Sequence, residues 1–100
     1  MIIQLSKIAT LNLKESIRKQ IHFRLDHFAQ LASVSKTVLS RQLKTGSIEY
    51  TFLVKYLIIL GYLPESYQPF KSFNELFFLE TVPKKYKTNL HYMLTGEFDA

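Results

Sequence analysis

The sequence predicts an all-α protein of five or six helices that forms a single domain over residues 1–100. Apolar residues recur at spacings of three and four in several segments, as they do on helices that bury one face. Residues that typically begin or end helices stand at the breaks between these segments. Hydrophobic residues make up 47% of the 100 residues, which is enough for one modest core.

The first third of the chain predicts an arm followed by two amphipathic helices. Residues 2–8 are rich in isoleucine without helical spacing, so we expect a short strand or an extended arm there. A first helix is expected from about residue 12 to about residue 22, and a second from about residue 24 to residue 33. The inward stripe of the first helix is formed by Leu13, Ile17 and Ile21.

The second half of the chain predicts more deeply buried helices. Residues 52–60 are apolar around nearly the whole circumference of a helix, which indicates burial on most sides. Ser72 and Glu75 match a capping box, so a helix is expected to begin there. Pro83 either ends that helix or opens a last one, which Gly96 is placed to end.

The most specific segment is residues 28–46. The small Ala29 lets a second helix cross closely, residues 33–35 break the chain, and Ser35 can cap the helix that follows. Leu39 and Leu43 are four apart and point inward. The outer face carries Lys36, Thr37, Ser40, Arg41 and Lys44. This pattern is typical of a helix-turn-helix that binds DNA.

The spacing of Phe28-Ala29, Val34-Ser35 and Leu39-Ser40-Arg41 resembles the Cro and phage-repressor-like helix-turn-helix family, also called XRE. The resemblance covers about residues 13–63, with Leu60-Gly61 at the end of the closing helix. It implies a lambda-repressor-like core over about residues 12–63, whose recognition helix, about residues 35–44, lies in the major groove of double-stranded DNA. Residues 64–100 would form a C-terminal helical dimerisation extension.

Two positions depart from the family pattern. Ser33 stands where a glycine usually makes the turn, so a non-glycine residue must adopt the turn geometry at some cost. Gln42 stands where an apolar residue is expected, and Leu43 follows one position later. We therefore expect the C-terminal end of the recognition helix to be rotated or extended relative to the family.

Geometry divides the candidate DNA contacts into two sets. Residues at the start of a major-groove helix approach base edges, whereas those at its end and in the next loop meet phosphates. The base-edge candidates are Lys36, Thr37, Ser40 and Arg41. The candidates for contacts with the DNA backbone are Arg24, Ser35, Lys44, Thr45, Ser47 and Tyr50. The run from Lys84 to Lys87 is either a further phosphate contact or a solvated helix start.

The apolar C-terminal region predicts an interface. Some helices here are apolar on two faces, and a chain this short cannot bury all of those faces in its own core. A second copy of the chain could cover the remaining apolar surface, which would give a two-fold dimer. The interface candidates are Phe73, Phe77, Phe78, Leu79, Tyr86 and Leu90. The leading hypothesis is a dimeric repressor that binds a palindromic operator. Two alternatives stay open: an antitoxin that binds a toxin through this region and represses its own operon, and a helical adaptor that never binds nucleic acid.

The composition disfavours other classes of function. The formal charge of +5 is compatible with a polyanionic partner. The absence of cysteine excludes disulfides and cysteine-based zinc sites, and the three histidines lack a completing ligand set, so we expect no metal and no cofactor. No glycine-rich phosphate loop or nucleophile elbow points to an enzyme. No signal peptide or membrane span is expected, and we predict a soluble cytoplasmic protein.

Overall fold

The computed structural model describes residues 2–21, 24–67 and 82–97. Within these ranges the chain forms five α-helices and two short β-strands. In chain order they are β1 (Ile2–Gln4), α1 (Lys7–Ile21), α2 (Leu25–Leu31), α3 (Lys36–Thr45), β2 (Ser47–Glu49), α4 (Tyr50–Ile59) and α5 (Lys84–Thr95). The prediction of a mainly helical protein is confirmed. The helix predicted to begin at Ser72 lies outside the described residues.

The two strands form a small antiparallel sheet, of which the sequence predicted only a short strand or extended arm at residues 2–8. Ile2 pairs with Glu49, Ile3 with Ile48 and Gln4 with Ser47. Both residues of the central pair, Ile3 and Ile48, are buried, whereas their neighbours along each strand are more exposed, because alternate residues of a strand point to opposite faces. The predicted N-terminal arm is thus a strand, and it pairs with β2 of the same chain.

Helix α1 begins earlier than predicted, at Lys7 instead of about Asn12. Ser6 stabilises this start, because its hydroxyl accepts a hydrogen bond of 3.1 Å from the Ala9 amide. Ala9, Leu13 and Ile17 are buried at four-residue intervals along the helix. The weakly apolar Ala9 extends the predicted stripe by one turn toward the N-terminus.

Residues from all seven elements meet in one hydrophobic cluster. Helix α4 contributes most of its circumference to this cluster, as the sequence predicted. Its buried residues are Tyr50, Leu53, Val54, Tyr56 and Leu57. Gly61 follows shortly afterwards in the left-handed region, with φ of 85°, which a glycine adopts without a steric penalty.

Helix α5 packs along α1 on the side of Asn12. The Asn12 side-chain amide donates to the carbonyl oxygens of Tyr92 and Met93, at 3.3 and 3.2 Å. The helix begins directly after Pro83 and ends at Gly96 in the left-handed region, as predicted. Leu90 and Met93 are its buried residues.

Candidate nucleic-acid interface

The local sequence defines both ends of α3. Ser35 has an extended backbone, and its hydroxyl accepts a hydrogen bond of 3.1 Å from the Val38 amide. Gly46 ends the helix at φ of 76°, where its amide bonds the Gln42 carbonyl. A Cβ atom at Gly46 would lie 2.7 Å from Thr10 Oγ1. A glycine at this position therefore allows the end of α3 to approach α1 closely.

A tight turn connects α2 to α3. Helix α2 ends at Leu31, slightly before the predicted Ser33, and Ser33 occupies the left-handed region at φ of 55°. Backbone hydrogen bonds from Ser33 to Gln30 and from Val34 to Ala29 close the turn, at 3.1 and 3.0 Å. The predicted unusual turn geometry at Ser33 is confirmed.

Side-chain contacts from α4 and the burial of Ala29 hold this turn against the core. Lys55 Nζ donates a hydrogen bond of 3.1 Å to the Ala32 carbonyl at the end of α2. A cation at this place satisfies a carbonyl that has no partner within the helix and interacts favourably with the helix dipole. Ala29 is buried, as expected for a small residue where two helices cross closely.

Gln42 lies on the inner face of α3 together with Leu39 and Leu43. Its side chain is 7% exposed, and its Oε1 accepts a hydrogen bond of 2.5 Å from the Tyr56 hydroxyl. A polar residue is accommodated there because α4 supplies a partner. One regular helix buries both Gln42 and Leu43.

The structure brings the four predicted base-edge residues together on the outer face of α3. All four are exposed, and with Lys44 they line one shallow surface depression. The residues of this depression are Lys36, Thr37, Ser40, Arg41 and Lys44. Helix α3 carries no acidic residue, so three cations and two hydroxyl groups define the chemistry of this face.

The residues predicted to contact the DNA backbone differ in exposure and in the hydrogen bonds that they form. Arg24 is exposed directly before α2, and Thr45 is exposed at the end of α3. The Thr45 hydroxyl donates to the Arg41 carbonyl at 3.0 Å and accepts from the Ser47 amide at 3.2 Å. Half-buried Ser47 donates a hydrogen bond of 2.5 Å to Gln4 Oε1. The hydroxyl groups of Thr45 and Ser47 therefore also stabilise the connection from α3 to β2.

Two predicted contact residues are corrected by their burial. Tyr50 is 3% exposed at the start of α4, so its ring belongs to the core and does not face a DNA backbone. Leu90 is fully buried in the same chain and is not available to a second copy. Tyr86 is half-buried against the core. The other interface candidates, Phe73, Phe77, Phe78 and Leu79, lie outside the described residues.

Basic residues of α1 lie beside α3 and were not predicted as part of the site. One groove of about 470 Å³ runs between α1, α2 and α3; among the described residues it is lined by Lys14, Ile17, Arg18, Leu25, Ser40, Leu43 and Lys44. A second groove, between β1, α1 and the end of α3, includes Lys7, Lys14 and Lys44. The available signal was the spacing of seven and four residues from Lys7 to Lys14 and Arg18, which places all three on one side of a helix.

The chemistry of this surface suits a polyanion. Lysine and arginine donate charge-assisted hydrogen bonds to phosphate, and arginine can also donate two parallel bonds to a guanine edge. Among the described residues, no three histidine, aspartate or glutamate side chains are grouped so that they could hold a metal ion. None of the described helices has both the length and the apolar character needed to cross a membrane.

Comparisons with known protein families, characterised proteins and solved structures found no match for this chain.

Proposed function

We propose that this protein is a sequence-specific, dimeric DNA-binding transcriptional regulator that acts as a repressor, with α2 and α3 as its helix-turn-helix. The observation that carries the proposal is the outer face of α3. This face combines cations, hydroxyl groups and no carboxylate on a helix that is capped at its start and bonded to the core from its inner side.

The dimensions of α3 fit the major groove of double-stranded DNA. An α-helix with its side chains is about 10–12 Å in diameter, and the major groove is about 12 Å wide, enough to admit one helix such as α3. In this arrangement Arg41 donates two hydrogen bonds to guanine O6 and N7, and Thr37 contacts a thymine methyl group or a base edge. Lys44, at the C-terminal end of the helix, contacts phosphate.

A two-fold dimer would present two copies of α3 to successive major grooves, about 34 Å apart, on a palindromic operator. We therefore propose a palindromic operator together with the dimer. Gel filtration with light scattering measures the mass in solution, and a value of about twice 11.7 kDa would support the dimer. A monomeric mass at the concentrations where DNA is bound would contradict this part of the proposal.

Two substitutions test the assignment of roles on α3. Arg41→Ala should weaken operator binding by about 1–3 kcal/mol and relax specificity at particular base pairs. Lys44→Ala should weaken binding to all duplexes alike and reduce the salt dependence by about one phosphate contact. The matched control is Lys19→Ala, which removes an exposed cation from α1 outside the grooves. Parent-like binding by both test variants would refute the proposal.

A further inference from the structure

Three exposed cations form a stripe along α1. Lys7, Lys14 and Arg18 are separated by seven and four residues on one continuous helix, so they lie on the same side of it. The first and the last are 11 positions apart, or about 16 Å along the helix. We call these three residues the α1 basic stripe.

The grooves of the surface place this stripe beside α3. Lys14 and Lys44 line both grooves, so these two side chains lie at the boundary between the two grooves. Arg18 lines the groove toward Ser40, and Lys7 lines the groove toward Thr45. The stripe therefore flanks α3 on the side of Ser40 and Lys44.

The electrostatics of the stripe favour an anionic partner. No aspartate or glutamate is among the described residues that line the two grooves. Arg18 forms an ion pair of 3.0 Å with Glu15, in which both side chains are about half exposed, at 49% and 46%. An exposed pair of this kind contributes little stability, so exchange of the carboxylate for a phosphate costs little.

We propose that the α1 basic stripe binds the phosphates of one DNA strand at the edge of the major groove that α3 occupies. This inference rests on the proposed DNA-binding function and extends the contact surface from α3 to α1. Along one strand of B-DNA a phosphate recurs about every 3.4 Å of helix axis, so a stripe of about 16 Å faces several of them. Such contacts fix the position and orientation of the protein and carry no base information.

The salt dependence of binding to a duplex of random sequence tests the proposal. The test variant is K7Q/K14Q/R18Q, and the control variant is K19Q, which neutralises an exposed cation of α1 outside both grooves. The single variant K14Q, measured in the same way, makes the same change in net charge as this control. The affinity of the parent and of each variant is measured by fluorescence anisotropy between about 50 and 200 mM salt. Circular dichroism and thermal unfolding verify that each variant is folded.

Each phosphate that the protein neutralises contributes about 0.9 to the slope of log K against log salt concentration, so the test variant should lose about 2.7 from that slope and K14Q about 0.9. The control variant should keep the parent slope. If the parent binds DNA, an unchanged slope in the test variant would contradict the proposal that the α1 basic stripe binds phosphates. An equal loss of slope in K14Q and in the control variant would contradict it too. If the parent itself shows no salt-dependent binding to any duplex, the proposed DNA-binding function fails instead. A test variant that does not fold is replaced by K7Q/K14Q, with an expected loss of about 1.8.

Discussion

The Tyr56 hydroxyl donates a buried hydrogen bond of 2.5 Å to Gln42 Oε1 and so joins α4 to the inner face of α3. The Tyr56 ring also lies 5.6 Å from the Phe28 ring of α2, measured between ring centroids, at an angle of 57°. Three helices therefore meet at one tyrosine. The orientation of the exposed face of α3 depends on this contact, although neither Gln42 nor Tyr56 belongs to that face.

A double-mutant cycle at Gln42 and Tyr56 should show strong coupling. Gln42→Leu leaves a buried hydroxyl without its acceptor, and Tyr56→Phe leaves a buried amide oxygen without its donor. Each single change should lower the free energy of unfolding by about 1–3 kcal/mol. The double variant should lose clearly less than the sum of the single losses. Urea unfolding measures all four proteins, and additive losses would contradict the coupling.

The stability of the protein should fall in alkaline solution because of Tyr56. Burial raises the pKa of Tyr56 to about 12 from its ordinary value of 10.0. The unfolded chain therefore releases the Tyr56 proton at lower pH than the folded chain. The contribution of Tyr56 to the free energy of unfolding is fully present below pH 10 and is lost between pH 10 and about 12. Between pH 9 and 11 the parent should lose about 1 kcal/mol more than Tyr56→Phe, as measured by urea unfolding. Equal losses in the two proteins would show that Tyr56 ionises normally in the folded state.

Ser33→Gly should stabilise the protein. Ser33 is exposed and has φ of 55°, in the region that is unfavourable for residues with a Cβ atom. Relief of that strain exceeds the entropic cost of a glycine by about 0.5–1 kcal/mol, which corresponds to a rise of about 3–6 °C in Tm. The β-branched Ser33→Val should lower Tm. A lower Tm for Ser33→Gly, measured by circular dichroism, would show that this turn is not strained.

Substitutions at Ser35 should separate stability from DNA binding. Ser35→Ala removes the N-terminal cap of α3 and should cost about 1 kcal/mol of stability. Ser35→Asp keeps the cap and its stability, because a carboxylate accepts the same hydrogen bond. The added negative charge should nevertheless weaken binding to every duplex, since Ser35 is a candidate for contact with the DNA backbone. Thermal unfolding and anisotropy measure the two effects, and undiminished DNA binding by Ser35→Asp would contradict that placement of Ser35.

The features that the sequence predicted correctly are governed by neighbouring residues. The cap at Ser35, the inward positions of Leu39 and Leu43 and the helix ends at Gly61 and Gly96 depend on local spacing and backbone preference. These features were sufficient to place the outer face of α3, since that face is what remains once the inner positions are known.

The features that were missed depend on contacts between distant residues. Strand β2 has three residues, too few for an alternating pattern, and it exists because β1 pairs with it across more than 40 positions. Burial of Gln42 depends on a hydroxyl from α4. Leu90 was expected at an interface because an apolar helix face does not reveal whether its partner is the same chain or another copy.

The central claim, that α3 recognises a DNA sequence, is tested most directly by selection of bound duplexes from a random pool, carried out with the parent and with Arg41→Ala. The parent should enrich a motif with two-fold symmetry and half-sites about one helical turn apart. Arg41→Ala should enrich the same motif with preference lost at one base pair in each half-site. If the parent enriches no motif, or if Arg41→Ala enriches the parent motif unchanged, α3 is not the sequence-recognising element.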